Sequence, residues 1–235
     1  LHASISAINN KKRNILKCLC TKEVSEKIRK KNDDEKFNNF KIVDRKYLDT
    51  YLKNKFHQGI MVECEKLDEL DHIKILDKYS STILILDSLT DSQNVGAIIR
   101  SAYLFGISLI FYNDHNSFDV NSTLLKSASG AFEKVNLVKI NNLNNLILFL
   151  KKKNYWVVGL DSKCKLDLNE VPNEIRKVIV LGSESKGIRK LIKNNCDYLV
   201  KIPMKKKDKI IDSLNVSNTA SIVFYELSRH IWCKK

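Results

Sequence analysis

The chain reads as an α/β protein, with a large C-terminal domain built on a mostly parallel sheet and a smaller α/β domain before it. Three observations predict this. Short continuous apolar runs of the kind buried parallel strands carry recur from Ile83 onward. Helical patterns fall between them, and an acidic stretch separates two basic blocks. With 235 residues, 43% of them hydrophobic, the chain can bury a sizeable core and has room for two domains.

Charge sets the divisions. Residues 1–66 hold 16 basic and 9 acidic side chains, a net +7; residues 67–80 hold 2 and 4; residues 81–235 hold 23 and 14, a net +9. The acidic run Leu67-Asp68-Glu69-Leu70-Asp71 is read as a linker, leaving domains at 1–66 and 81–235. In the first block Ile5, Ile8, Ile15 and Leu19 have helix-like spacing. Strands are expected around Phe40 to Val43 and Gly59 to Cys64, with a turn at Asn32-Asp33-Asp34. In the second block Ile83 to Leu86, Ser108 to Tyr112, Trp156 to Gly159, Val178 to Leu181 and Tyr198 to Ile202 read as strands. Asn142 to Lys152 repeats its apolar residues at helical spacing. A last helix from Val216 puts Val216, Ala220, Val223, Phe224, Leu227 and Ile231 on one face and Ile222 and Tyr225 elsewhere, so burial on more than one side is expected.

The formal charge of +14 points to a polyanionic partner, a nucleic acid or an acidic membrane surface. No apolar run approaches the roughly 20 residues needed to span a bilayer, and no signal-peptide pattern is present; an intracellular protein is expected. Leu1 stands where a start methionine would, which implies preceding residues in the natural chain. Six cysteines without a C-x-x-C pair, and histidines off ligand spacing, predict neither a metal centre nor a disulfide framework.

A nucleotide-type cofactor on a parallel sheet usually leaves a glycine-rich loop after the first strand. Here that strand runs into Asp87-Ser88-Leu89-Thr90-Asp91, without glycine, whereas Gly182 and Gly187 bracket a loop after a late strand. The cofactor loop is therefore expected in the second half, which argues against an ordinary Rossmann methyltransferase or dehydrogenase. Asn94 reads as the cap of the helix that starts there. Arg100 is the only charge between Val95 and Gly106 and has no acidic partner three or four residues away. An arginine so placed points to a ligand carboxylate or phosphate, with a snorkelling surface arginine as the other reading.

Three motifs then occur in order: Asp91-Ser92-Gln93-Asn94-Val95-Gly96-Ala97-Ile98-Ile99-Arg100, Gly182-Ser183-Glu184-Ser185-Lys186-Gly187, and Asp212-Ser213-Leu214-Asn215-Val216-Ser217. Together they resemble the SpoU/TrmH group of RNA ribose 2′-O-methyltransferases, in the SPOUT superfamily, over nearly the whole chain. The resemblance implies a deep trefoil knot in 81–235, S-adenosylmethionine as cofactor and a homodimer in which the last helix takes part. It implies that backbones around Gly182, Ile202 and Leu214 hold the cofactor, with Ile202-Pro203-Met204 matching the family's I-P-M. It assigns Asn94, Arg100, Glu184, Ser213 and Asn215 to the catalytic site, Arg100 centrally; read alone, Ser213 and Asn215 are further helix caps. Phe56-His57-Gln58-Gly59-Ile60 and His2-Ala3 resemble a ribosomal-protein-like substrate domain, which makes 1–66 an RNA-binding domain. His57 is read as structural or as an RNA contact.

The expected reaction is methylation of a guanosine ribose in large-subunit, 23S-type ribosomal RNA. Transfer RNA is the runner-up substrate, and a noncatalytic RNA-binding or ribosome-assembly protein on the same fold is the alternative class. The expected compartment is the bacterial cytoplasm, or an organelle if the source is eukaryotic. The basic run Lys205-Lys206-Lys207-Asp208-Lys209 departs from the family's small-residue stretch and is read as an extra RNA contact or a solvated insertion.

Overall fold

The computed structural model describes residues 1–30, 40–53, 55, 57–67, 76, 82–172, 176–205 and 213–232. The turn at Asn32-Asp33-Asp34, most of the acidic linker and most of the lysine-rich run lie outside them. The chain divides into two compact units: residues 1–68 with 129–133, and residues 69–128 with 134–235.

The first unit holds α1 (His2–Asn9), β1 (Ile15–Cys20), α2 (Lys22–Arg29), β2 (Lys41–Ile42), α3 (Arg45–Tyr51) and β3 (Ile60–Cys64). β1 is the central strand, parallel to β2 and antiparallel to β3. The helical spacing that linked Ile5 and Ile8 to Ile15 and Leu19 is corrected here. The helix stops at Asn9, a turn at Lys11-Lys12 follows, and Ile15 to Cys20 forms a strand whose backbone groups are paired on both sides. Ladder pairing overrides a period drawn across a turn. Ile8, Cys20, Val24, Ile28 and Ile60 form the core. Residues 129–133 join this unit through Glu133, whose side chain is buried against that of Arg13 at 2.8 Å and accepts a hydrogen bond from Asn10 Nδ2 at 2.6 Å.

His57 serves this small unit. Its Nδ1 accepts the Gly59 N–H at 3.1 Å and its Nε2 lies 2.8 Å from Asp49 Oδ1, so the ring is held from both ends and buried. That is the structural reading of the His57 motif.

The second unit carries β4 (Thr82–Asp87), α4 (Ser92–Leu104), β5 (Leu109–Asn113), α5 (Ser122–Ala128), β6 (Asn136–Ile140), α6 (Leu143–Lys152), β7 (Trp156–Leu160), β8 (Leu166–Asp167), β9 (Lys177–Gly182), α7 (Lys190–Lys193), β10 (Tyr198–Lys201) and α8 (Val216–Trp232). The sheet is seven-stranded, in the order β6-β5-β4-β9-β7-β10-β8, with every neighbouring pair parallel. All five apolar runs read as strands in this block are strands, and β6 and β8 complete the sheet. Ile83, Ile85, Phe111, Val157, Val178 and Val180 share one core with Leu143, Leu146, Ile147 and Leu150 of α6 and Ile192 of α7. Strand side chains alternate, so the buried Leu84 and Leu86 face the opposite layer. There α4 packs against α5 and α8, and the result is a three-layer α/β domain.

Four of the α8 residues assigned to the buried face beyond Val216 (Ala220, Val223, Phe224 and Leu227) are buried, while Ile222 and Tyr225 are exposed. Cys18 and Cys196 are thiols pushed up to about 12 by burial, so neither is a thiolate at neutral pH. Among the described residues no helix is long and apolar enough to cross a membrane, and no cluster of His, Cys, Asp or Glu has metal-binding geometry.

Candidate active site

The strand order identifies where a site belongs. From β4 the chain builds outward through β5 and β6, then returns to build β7 on the far side of β9. Ligands on such sheets bind beyond the carboxyl ends of the strands, near the point where the order reverses. A cavity of about 580 Å³ lies there, formed by the segments after β7, β9 and β10 and by the approach to α8. Its volume falls in the range of small-molecule sites, about 300–1,000 Å³.

The loop after β9 is what gives the cavity its wall. Ser183 and Gly187 exchange both backbone hydrogen bonds, N–H to O at 3.1 and 2.8 Å, and Lys186 N–H adds a third to Ser183 Oγ at 3.2 Å. Gly187 turns at φ +67, where only glycine sits without strain. A Cβ on Gly182 would stand 2.2 Å from both Gly187 C and Ile188 N, so the strand end and the loop return touch backbone to backbone. Gly182, Ile202 and Leu214, the three residues expected to hold a cofactor, all line this cavity, as do Glu184, Ser213 and Asn215.

Asn94 is not the helix cap. Asp91 takes that role, its Oδ1 accepting the Asn94 N–H at 2.6 Å. The side chain of Asn94, one turn in, is thereby released for another use. Its Nδ2 donates to Glu184 Oε1, and its Oδ1 accepts from Asn215 Nδ2 at 3.1 Å. Asn215 Oδ1 in turn accepts from Ser217 N at 2.8 Å and Ser217 Oγ at 2.6 Å, which caps α8. The direction of the chain is fixed at both ends. An ionised Glu184 only accepts and the Ser217 N–H only donates, so neither amide can flip. The cap expected of Asn215 is present, and the same residue lines the cavity.

Arg100 stands apart. It is exposed, lines neither cavity of this region, and has no hydrogen bond or ion pair among the described residues. Six residues of helix set it roughly 9 Å along the axis and roughly 240° around it from Asn94. Tyr103 and Leu104, three and four residues on in α4, are exposed, and so are Ile222 and Tyr225 of α8, the helix that α4 packs against.

Several polar residues that shape the site were not singled out in the sequence. Asp161 lines the cavity beside Lys193. Burial works against its charge, but hydrogen bonds from the Lys193 ammonium and the Lys163 N–H, with both positive charges, hold the carboxyl below its ordinary range. Asp87, at the end of β4, is wholly buried and binds Arg189 through its backbone N–H and its Nε. Asn113, at the end of β5, accepts the Ser88 N–H at 2.7 Å and fixes that residue at φ +61. A polar residue closing an apolar strand run is the signal that marks Asp87 and Asn113 in the sequence.

Comparison with known proteins agrees with this arrangement. Residues 81–225 match the SpoU rRNA Methylase family. A Borreliella burgdorferi protein described as an uncharacterized tRNA/rRNA methyltransferase is 37% identical over 211 residues, covering 83% of this chain and 90% of its own. The 23S rRNA (guanosine-2′-O-)-methyltransferase RlmB of Coxiella burnetii is 34% identical over 193 residues, covering 80% and 76%. The fold is that of the SpoU methyltransferase AviRb from Streptomyces viridochromogenes, solved with the cofactor AdoMet, at a TM-score of 0.81 and 19% identity over 99% of this chain and 89% of that one. With its three motifs gathered at the carboxyl edge of a parallel sheet and these relatives beside it, the chain belongs to the SpoU family of RNA methyltransferases.

Proposed function

We propose that this chain methylates a ribose 2′-hydroxyl of RNA, with a guanosine of large-subunit ribosomal RNA as first substrate and transfer RNA as second. The observation that carries the reading is the convergence of Gly182, Ile202, Leu214, Glu184, Ser213 and Asn215 on one cavity, locked to Asn94 by a directed chain of amides.

The residues present fit S-adenosylmethionine. Leu160, Leu181, Ile202 and Leu214 offer apolar wall, the Gly182 turn brings backbone to the cavity, and Glu184 and Asp161 place negative charge near a cationic ligand. When bound, the cofactor supplies an activated methyl group on a sulfonium. The protein's task is alignment of the hydroxyl and removal of its proton. Glu184 holds one oxygen on Asn94, which fixes the loop after β9 relative to α4. Arg100 acts on the target nucleotide from the exposed side of α4. A guanidinium gives up its proton too reluctantly to be a cheap base, so orienting the hydroxyl and its phosphate is the cheaper role. The exposed Tyr103, Leu104, Ile222 and Tyr225 form the face on which a second copy docks. In this reading residues 1–66 bind the RNA substrate.

The decisive experiment is transfer of labelled methyl to ribosomal and transfer RNA isolated from a deletion strain, followed by mapping of the modified nucleotide. One ribose labelled to stoichiometry in ribosomal RNA is the expected result. Label on a base, or none on either RNA with the protein folded and cofactor bound, overturns the reading.

A further inference from the structure

A second cavity, of about 480 Å³, lies beside the loop after β9, and Ser88, Asp91, Asn94, Glu184 and Arg189 are among its walls. Arg189 is unusual in how it is held. The Asp87 carboxylate has no exposure, and its two oxygens are taken separately: Oδ2 by the Arg189 backbone N–H at 2.8 Å, Oδ1 by the Arg189 Nε at 2.6 Å and by Ser88 Oγ at 3.4 Å. A purely structural arginine–carboxylate pair favours the parallel two-bond fork. Here the backbone N–H occupies the second oxygen, and the two terminal amino groups of the guanidinium make no hydrogen bond among the described residues. The side chain is 52% exposed where it borders the cavity. The guanidinium is thus pinned by its inner edge, and Arg189 borders the cavity that Asn94 and Glu184 also line.

We infer that Arg189 binds a phosphodiester oxygen of the RNA strand next to the target ribose, and that Asp87 is the residue positioning it. The inference deepens the RNA-methylating reading and rests on it for the identity of the ligand. Planar paired donors of this kind match a phosphate, and side-chain entropy already lost to Asp87 is not lost again on binding. The backbone N–H that Asp87 accepts is still present when Arg189 is replaced by glutamine or lysine, so the loop keeps half of its anchor in these variants.

The test uses the full chain and large-subunit ribosomal RNA as the probe, with binding measured in the absence of cofactor over a range of salt. Arg189→Gln is expected to weaken RNA binding about tenfold and to reduce the slope of log affinity against log salt by roughly 0.7–0.9, one phosphate's worth. Cofactor affinity should stay within about twofold of the parent. Arg189→Lys should keep the slope and recover only part of the affinity, because the charge remains and the fork does not. Asp87→Asn should weaken RNA binding in the same direction, and its effect should not add to that of Arg189→Gln. Unchanged RNA affinity and slope in Arg189→Gln overturn the inference. So does an equal loss of cofactor and RNA affinity, which marks a structural clamp. A parent that binds RNA without methylating it refutes the methylation reading alone, and the salt slope still decides Arg189.

Discussion

Two regions of the large domain each present an arginine, and they are built on opposite terms. At the carboxyl ends of β4 and β9, Arg189 is fixed to a buried carboxylate and Asn94 is fixed to Glu184 and Asn215, so side chains 90 to 121 positions apart are joined by directed hydrogen bonds. On the outer side of α4, Arg100 is exposed, without a hydrogen bond or ion pair among the described residues and one turn from the exposed Leu104. Absence of an acidic neighbour in sequence marked Arg100 as available, and it is available because its face is open. Arg189 sits among the lysines of Lys186 to Lys193, where nothing in the local sequence singles it out, yet a carboxylate 102 residues away makes it the more precisely held of the two. Local charge pattern reports exposure; geometry needs the long-range partner.

The contrast can be broken first at Arg100. Arg100→Ala should lose methyl transfer by at least about a hundredfold while melting and cofactor affinity stay at the parent's values, since no hydrogen bond or ion pair among the described residues is removed. Single-turnover rates, thermal melting and calorimetric titration check it, and normal turnover by the folded variant returns Arg100 to the surface reading. Arg100→Lys should rescue little if orientation is the role, and should regain activity at high pH if the residue is simply a base.

Asp87→Ala is the converse, a large structural effect. It removes the acceptor of both Arg189 bonds from a fully buried position, and should cost about 2–3 kcal/mol in urea unfolding. The half-exposed guanidinium, able to turn to water, keeps the figure below that of a wholly buried pair. A loss below about 0.5 kcal/mol would show that the clasp contributes little.

Asn94→Asp compared with Asn94→Ala sharpens the amide chain. A carboxylate at 94 cannot donate to Glu184 and repels it, so the aspartate variant should lower cofactor affinity more than the alanine variant, about tenfold against about threefold. Equal effects would mean that Glu184 is held by something other than Asn94.

The smallest effect expected is at Asp161. Its folded-state carboxyl is depressed, so its stabilising contribution is present above the ordinary carboxylate range and is lost as pH falls through the depressed value. Asp161→Asn should therefore destabilise at neutral pH by about 1 kcal/mol or less, given the partly exposed Lys193. The gap to the parent should close in acid; a gap that stays constant from neutral to acid pH contradicts this.

Much of this molecule is legible in its sequence. Ile83 to Leu86 and Val178 to Leu181 announce buried parallel strands because such strands are apolar on both faces, and Gly182 and Gly187 announce a tight loop, the first where a Cβ would meet backbone and the second where φ is positive. What failed were readings that needed a partner. Asn94 looked like a cap because Asp91, three residues before it, meets the same criterion, and only one of them wins the helix end. Ile15 and Leu19 fitted a helical period that a turn between Asn9 and Ile15 interrupts. β6 and β8 were missed: Asn136 to Ile140 mixes polar and apolar residues at a sheet edge, and Leu166-Asp167 is too short to carry a pattern.

The adjacency of β4 and β9 has a kinetic meaning. Six consecutive residue pairs, from Thr82 with Lys177 to Asp87 with Gly182, join strands about ninety-five positions apart. β9 is inserted between β4 and β7 with β5, β6 and α6 intervening in the sequence between β4 and it, and contacts of such sequence separation form slowly. Until that insertion neither the Gly182 turn nor the Asp87 carboxylate has its neighbour, so no partly folded chain offers the cavity. Refolding followed by cofactor binding should lag behind refolding followed by helix content, with the delay set by arrival of the central strand.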